Sequence, residues 1–503
     1  MSHDSTAPSP RLVSIDRRQL LLRTVDVEKL IDEDHSARSI WKLVGRLDLS
    51  LYHAKIASVE GHAGREHTDP QLLISLWLYA YGRGISSARE IARQCEYEPG
   101  CQWLCGLDPV SHRTLSGFRS DRKAALDDLF GQVLGMLSAE GLIRMERVTL
   151  DGTKIKANAG GNTFRRQQKL EAHLALAREQ VRMLNAQAEE EEKTSKRQAA
   201  ARRRAARQRE SRLEAAVREV ERLQQAKKHD RETFTARASS TDPEAHVMRN
   251  GEGGTVPSYN LQLVTDTAHG MVVNVEATTD AIDYRQLEPA LERCEKTLGQ
   301  KPKQIVADGD YTNHASVQAA VRHGVDFYGS WQDSWRPVER DAQGRSAAFL
   351  SSAFPYDAEQ DRFTCPAGQI LTHHALLNRD NGVRTHVYRA PKRACPHCPL
   401  RDQCAPQQAR PEWRRSITRL EEPAATKAFK IKMATAEAKQ IYAQRSQIAE
   451  FPHAWIKERC GLRQFRCRGR LKVAMEATWA CLSYNLARWF GLRRKLNMEI
   501  SPA

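Results

Sequence analysis

The chain has 503 residues, 40% hydrophobic and 28% charged, with 78 Lys and Arg against 62 Asp and Glu for a formal charge of +16. That excess suits a polyanion such as nucleic acid, with a merely basic surface as the competing reading. No run of about 18 apolar residues occurs, which argues against a membrane span. The opening MSHDSTAPSP lacks a secretory pattern, so an intracellular protein is expected. Its eleven cysteines then read as thiols or metal ligands, not as a disulfide framework.

Residues 1–17 read as a disordered tail and residues 18–145 as a helical N-terminal domain. Leu72, Leu73, Leu76 and Tyr79 recur at helical spacing, as do Phe130, Val133, Leu134 and Leu137. The segments ISSAREIARQC (85–95) and SHRTLSGFRSDRK (111–123) each start with residues suited to capping a helix. The second surrounds Phe118 with basic side chains, and Arg113 and Arg119 are candidate contacts to DNA phosphates. A helix-turn-helix-like DNA binder and an ordinary helical domain both fit.

VTLDGTKI (148–155) predicts a strand ending in Asp151-Gly152. Asp-Gly is a common turn pair, and a carboxylate at a strand tip is also a metal-ligand position. The charged block 162–235 is rich in helix formers. It reads as one or two long exposed helices: a self-paired hairpin, or a basic arm along DNA phosphates. Residues 258–280 predict two strands joined by a tight turn at Ala268-His269-Gly270, followed by a helix over 283–299 that stops at Gly299. KQIVADGDYTN (303–313) gives another short strand, which ends in Asp308.

Without the charged block, the order is a three-strand meander, a crossover helix and a strand parallel to the first. This is the order of an RNase H-like mixed α/β core. Its first and fourth strands are neighbours, so Asp151 and Asp308 come together. Mg²⁺ is a hard cation that takes carboxylate oxygens. Two such ions can activate a nucleophile and stabilise the leaving oxygen of a phosphodiester. A third carboxylate is expected on a later helix, and 441–469 offers Glu450. At 100° per residue, Tyr442, Arg445, Glu450 and Lys457 fall within an arc of about 140°, with a helix break at Pro452 as the feature that would scatter them. An exposed charged helix is the competing reading.

Between Asp308 and Glu450, an insertion at 312–435 carries Cys365, Cys395, Cys398 and Cys404 in CPAG and CPHCPLRDQC. That pattern suits a tetrahedral zinc ion stapling a small cysteine-rich β subdomain, with His373, His374 and His397 as spare ligands; four reduced thiols are the alternative. Cys95, Cys101 and Cys105 read as packing residues, and Trp331 and Trp335 as core rather than base-stacking residues.

Taken together, VTLDGTKIKANA, TDPEAHVMRN, YNLQLVTD, VADGDYTN and Tyr442-Arg445-Glu450-Lys457 resemble, in order, the DDE transposases of bacterial insertion sequences, in the branch with a Tyr-Arg-Glu-Lys signature. HSARSIWKLV, DPQLLISLWLYAYGRGISSAREI and HRTLSGFR resemble that group's N-terminal domain. The resemblance implies a catalytic domain over 146–503 with Asp151, Asp308 and Glu450 holding two Mg²⁺ ions, Mn²⁺ being an alternative. It implies Tyr442, Arg445 and Lys457 on transposon-end DNA, cleavage at terminal inverted repeats, and strand transfer into target DNA. A homodimer or higher oligomer in the bacterial cytoplasm, at the nucleoid, is the matching expectation. Asp310 stands where relatives commonly have Gly, which makes it a rival to Asp308 as second ligand. FPHAWIK departs from their His and Phe-Gly after the third acid. An RNase H-like nuclease or resolvase, and a non-catalytic DNA-binding regulator, are the alternative functions.

Overall fold

A central N-terminal helix, α1 (Pro70–Gly82), is capped by Asp69 and is apolar on nearly every side, which suits only a fully packed position. Around it pack α2 (His112–Asp121), capped by Ser111, and α3 (Lys123–Ala139). The computed structural model describes residues 24–495 apart from 55, 57–66, 191–195, 227–234, 252, 332–346, 379–383 and 407–408. The tail expected at 1–17 and Trp335 lie outside the described residues. Trp331 packs edge-on against His314, beside Phe429, as a core residue. Cys95, Cys101 and Cys105 are buried, as packing residues should be.

Strand β1 (Arg147–Lys156) buries Val148, Leu150 and Ile155. The chain then leaves the sheet for a helical hairpin, α4 (Gln167–Glu190) and α5 (Lys196–Ala226), which pair through a core of their own: Leu170, Leu174 and Ala177 against Leu213, Ala216 and Val220. Arg178 and Glu214 add an ion pair at 2.8 Å. This is the self-paired hairpin of the sequence reading. Its neck closes where Phe164 and Arg165 pair with Ser239 and Ala238.

Strand β2 (Thr255–Asp266) returns antiparallel to β1, with Val148 opposite Asp266 and Lys156 opposite Ser258. It turns into β3 (Val272–Thr278) through Gly270, whose φ of +68° is readily adopted only by glycine. The crossover helix α6 (Leu287–Leu298) is ended by Gly299 at φ 66°. It leads to β4 (Gln304–Ala307), which pairs parallel to β1 with Leu150 opposite Ala307. Helix α7 (His314–His323) then delivers β5 (Asp326–Tyr328), parallel to β4. The strand order is β3-β2-β1-β4-β5, with His246–Arg249 as an extra edge piece on β2. This is the RNase H-like order.

Two expectations are corrected here. The insertion placed at 312–435 begins after Tyr328, because α7 leads into β5, which is a strand of the central sheet. It contains a five-stranded antiparallel meander within 356–421, with Phe354, Phe363, Leu371 and Tyr388 as its core. Secondly, the helix break lies at Gln444 rather than at Pro452. It separates α8 (Ala436–Ala443) from α9 (Arg445–Glu458), and α9 runs straight through Pro452.

The last helix, α10 (Arg470–Lys495), packs on α1, where Ser483 Oγ donates to the Leu78 carbonyl. A single apolar core therefore runs from the N-terminal helices through the sheet to α10, across the boundary expected near 145. The TDPEAH segment proves to be a latch on this helix: Asp242 accepts the Gly469 N–H and Glu244 the Arg470 N–H. Among the described residues, no helix is long and apolar enough to cross a membrane.

Candidate active site

The β1–β4 ladder stops at Leu150 and Ala307, because β4 ends there while β1 continues to Lys156. Asp151 therefore does not end its own strand, as the sequence suggested; it stands where its neighbour ends. Asp308 follows Ala307 directly, so the two aspartates stand on adjacent strands at the point where their ladder ends, close enough for the charge of Asp308 to act on Asp151. Burial pushes Asp151 up to about 6; Arg445 opposes that shift and the charge of Asp308 adds to it. Asp308 is also raised, first by burial and then by Asp310, although its carboxylate accepts the Asp310 N–H at 2.9 Å. Asp310 itself is exposed.

Helix α9 packs against β1 beside Asp151. Arg445 Nη1 lies 3.9 Å from Asp151 Oδ1, and His453 Nε2 lies 3.6 Å from Asp151 Oδ2. Lys457, half-buried, places a positive charge near His453. Glu450 is exposed on the same helix, one turn before His453, and makes no ion pair among the described residues. Tyr442 belongs to α8, where it packs beside Val306 and Tyr328 with its ring 5.9 Å from the Arg445 guanidinium. The break at Gln444 thus takes Tyr442 out of the predicted arc but keeps it next to Arg445. Arg113 is exposed on α2. Arg119 is not available to DNA: it is 4% exposed, donates to the Ser86 carbonyl at 2.7 Å and pairs with Glu476. The helical spacing that put it beside Phe118 also turned it inward.

Two family models match the chain: a transposase DDE domain over residues 364–490, which includes Glu450, and a Transposase domain (DUF772) over residues 25–121. The chain is a DDE transposase. No curated protein matches it. Among solved structures, a piggyBac transposase synaptic complex with hairpin DNA is similar at 7% identity and a TM-score of 0.33, covering 93% of this chain and 77% of that one.

The transposase supports its aspartate pair from behind with a polar network that the sequence reading missed. Gly152 lies opposite Gln262, on the face of β1 away from Asp151. Gln262 and Asn260 both donate to Asp283 Oδ1, at 2.6 and 2.7 Å, and Lys154 lies 3.8 Å from Asp283 Oδ2. Tyr311 donates to Gln262 Oε1 at 2.5 Å, which ties the turn carrying Asp308 to the centre of the sheet. The available signal was Asn260 and Gln262 two apart in an otherwise apolar strand. Such buried amides need partners, but nothing pointed to Asp283, which reads as the start of a helix. Glycine is required at 152 for space: a Cβ would sit 2.6 Å from Gln262 Nε2 and 2.8 Å from Asp283 Oδ1. Gly152→Ala should therefore destabilise the fold by about 1–3 kcal/mol, as overpacking does, and lower cleavage with it. Thermal unfolding beside a cleavage assay checks both.

Cys365, Cys395, Cys398 and Cys404 line one small pocket with Trp413. Two of the sulfurs accept backbone N–H groups, Cys365 from Gln369 at 3.2 Å and Cys395 from Arg415 at 3.3 Å. However, no three of the four sulfurs lie within 4.8 Å of one another; the described residues that do gather this closely are Glu288, Glu292 and His323, on and near the surface of α6 and α7.

Proposed function

We propose that Asp151, Asp308 and Glu450 are the metal ligands of this transposase and that the metal is Mg²⁺, as a pair of ions, with Mn²⁺ as an alternative. The substrate in this reading is double-stranded DNA: the element's terminal inverted repeats, then target DNA. It is handled by a homodimer or higher oligomer at the bacterial nucleoid. The observation that carries the reading is the parallel register ending at Leu150 and Ala307, which sets two partly desolvated carboxylates side by side. The donor set suits a hard divalent cation. Both carboxyls are raised, and the Arg445 guanidinium is 3.9 Å from Asp151, too far for a full charge-assisted hydrogen bond.

When bound, the ions would supply nucleophile activation and stabilisation of the leaving oxygen. The chain's own groups do the rest. Asp151 and Asp308 present oxygens from a rigid sheet. Glu450 projects about 60° around α9 from His453, on the solvent side from which DNA arrives. Arg445, Lys457 and Tyr442 offer two cations and a hydroxyl to backbone phosphates at the same mouth, and Arg113 adds a separate exposed charge on α2. The test is Mg²⁺-dependent cleavage of DNA bearing the element's own end by wild type, Asp151→Asn, Asp308→Asn, Asp310→Asn and Glu450→Gln. Loss in all but Asp310→Asn supports the triad. An inactive Asp310→Asn with an active Asp308→Asn moves the second ligand. Cleavage without strand-transfer products would favour the nuclease reading, and full activity in every variant would remove these carboxylates from the chemistry.

A zinc ion at Cys365, Cys395, Cys398 and Cys404 is a separate, structural proposal, supported by their shared pocket and the two N–H···S bonds. It requires side-chain rotation to bring the sulfurs to Zn–S distances of about 2.3 Å. Metal analysis of the purified protein should find one zinc per chain, lost in Cys395→Ser; a zinc-free wild type refutes it.

A further inference from the structure

We propose that His453 is a ligand of the same divalent centre, contributing a neutral imidazole nitrogen beside Asp151. This rests on Asp151 being a metal ligand. His453 is 8% exposed, and neither ring nitrogen has a hydrogen-bond partner. A buried polar group left in that state is costly, so an imidazole held this way lacks a partner that the site would supply. Its Nε2 points at Asp151 Oδ2 but stops at 3.6 Å, longer than a hydrogen bond. Beside the ring lie Asp151 of β1, whose backbone as well as its carboxylate is close, though neither falls within hydrogen-bond geometry, and Lys457 from its own helix. Lys457 cannot accept a hydrogen bond.

The separation is instead what one ion imposes on two of its ligands. At metal–ligand distances of about 2.0–2.2 Å, adjacent donors lie roughly 3.0–3.6 Å apart. Helix α9 would then bring two donors to the aspartate pair, Glu450 from its open side and His453 from its buried side. A nitrogen in the shell shifts preference away from Mg²⁺, which favours an all-oxygen set, toward transition ions.

The experiment is pulsed EPR of Mn²⁺ bound to the full-length protein, which detects ¹⁴N coupled to the ion without any turnover. Wild type should show one imidazole nitrogen. His453→Asn and His453→Gln should lose that coupling and bind Mn²⁺ roughly 10-fold or more weakly, on the scale of disturbing a metal shell, while thermal unfolding confirms that they are folded. Asp151→Asn should lose the bound Mn²⁺ altogether. A wild-type Mn²⁺ signal that depends on Asp151 but shows no ¹⁴N, or ¹⁴N coupling that survives in a His453 variant, overturns this inference and leaves the carboxylate reading standing. Mn²⁺ binding that ignores Asp151, or none at all, overturns both. The wild-type spectrum alone decides the question if the variants fail to fold.

Discussion

Asp151→Asn should cut metal-dependent end cleavage by about 10³-fold or more, the scale of removing a preorganised electrostatic partner from a reaction centre, and should make the metal-free protein harder to unfold. The second effect arises from the environment of the carboxyl. Burial lifts Asp151 from 3.8 to about 6, so the folded chain holds that proton more tightly than the unfolded chain does. Its contribution to stability is complete below about pH 4 and is lost as the pH rises through about 6. Near pH 7.5 the ionised carboxylate therefore burdens the fold by roughly 2–3 kcal/mol relative to a group that never ionises. Asparagine keeps the shape and removes that burden. If the pair holds Mg²⁺ as proposed, the ion should raise the unfolding temperature of wild type, because it would bind only the folded pair, and should leave Asp151→Asn unmoved. Glu450→Gln should lose activity without gaining stability, since Glu450 is exposed. Calorimetry with and without Mg²⁺, run beside the cleavage assay, separates these outcomes. A variant that is both inactive and less stable would trace the loss to folding and undo the assignment.

The sheet was legible because each strand carried its own local signal. β4 was bounded by Gln304 and Ala307 in sequence and in space, and the meander-crossover order then left one arrangement for Asp151 and Asp308. β5 was not legible, since three residues, Asp326–Tyr328, are too few for a period of two to register. The Arg119 error has a different origin. Basic residues near a helix start suit phosphate equally well whichever way the helix faces, and only the packing of α2 against α1 and α10 decides the face. His453 was hidden by the same limit. It lies eight residues from Arg445 on α9, about 80° around the helix, but an arc that includes Tyr442 crosses a break at Gln444 that no residue announces. Asp283 was invisible for a further reason: its partners Asn260, Gln262 and Lys154 come from two other strands, and a contact made by three separate segments leaves no spacing in any one of them.

Arg119→Ala should destabilise the protein by about 3–5 kcal/mol, because removing one partner of a buried pair strands the other. Arg119 joins α2 to α10 through Glu476 at 3.4 Å, lies 4.6 Å over the Trp77 ring and donates to the Ser86 carbonyl. Arg119→Lys should recover little of this, since an ammonium cannot stack on the indole while forking to two acceptors. Arg113→Ala makes the contrast. That side chain is exposed, so stability should change by no more than about 0.5 kcal/mol, while DNA binding weakens and its salt slope falls by about one ion. Urea unfolding and salt-dependent binding of both variants test the pair together; a stable Arg119→Ala protein with weakened DNA binding would restore Arg119 as a phosphate contact. The loss at Arg119 should also reach the chemistry. Glu476 holds the Arg466 and Cys467 N–H groups, and the same loop meets β1, where Phe465 donates to the Lys156 carbonyl at 2.9 Å. Lys156 lies five residues beyond Asp151 on that strand. A loosened Glu476 therefore frees the far end of the strand that carries the first aspartate, and the surviving folded fraction of Arg119→Ala should cleave more slowly per molecule than wild type.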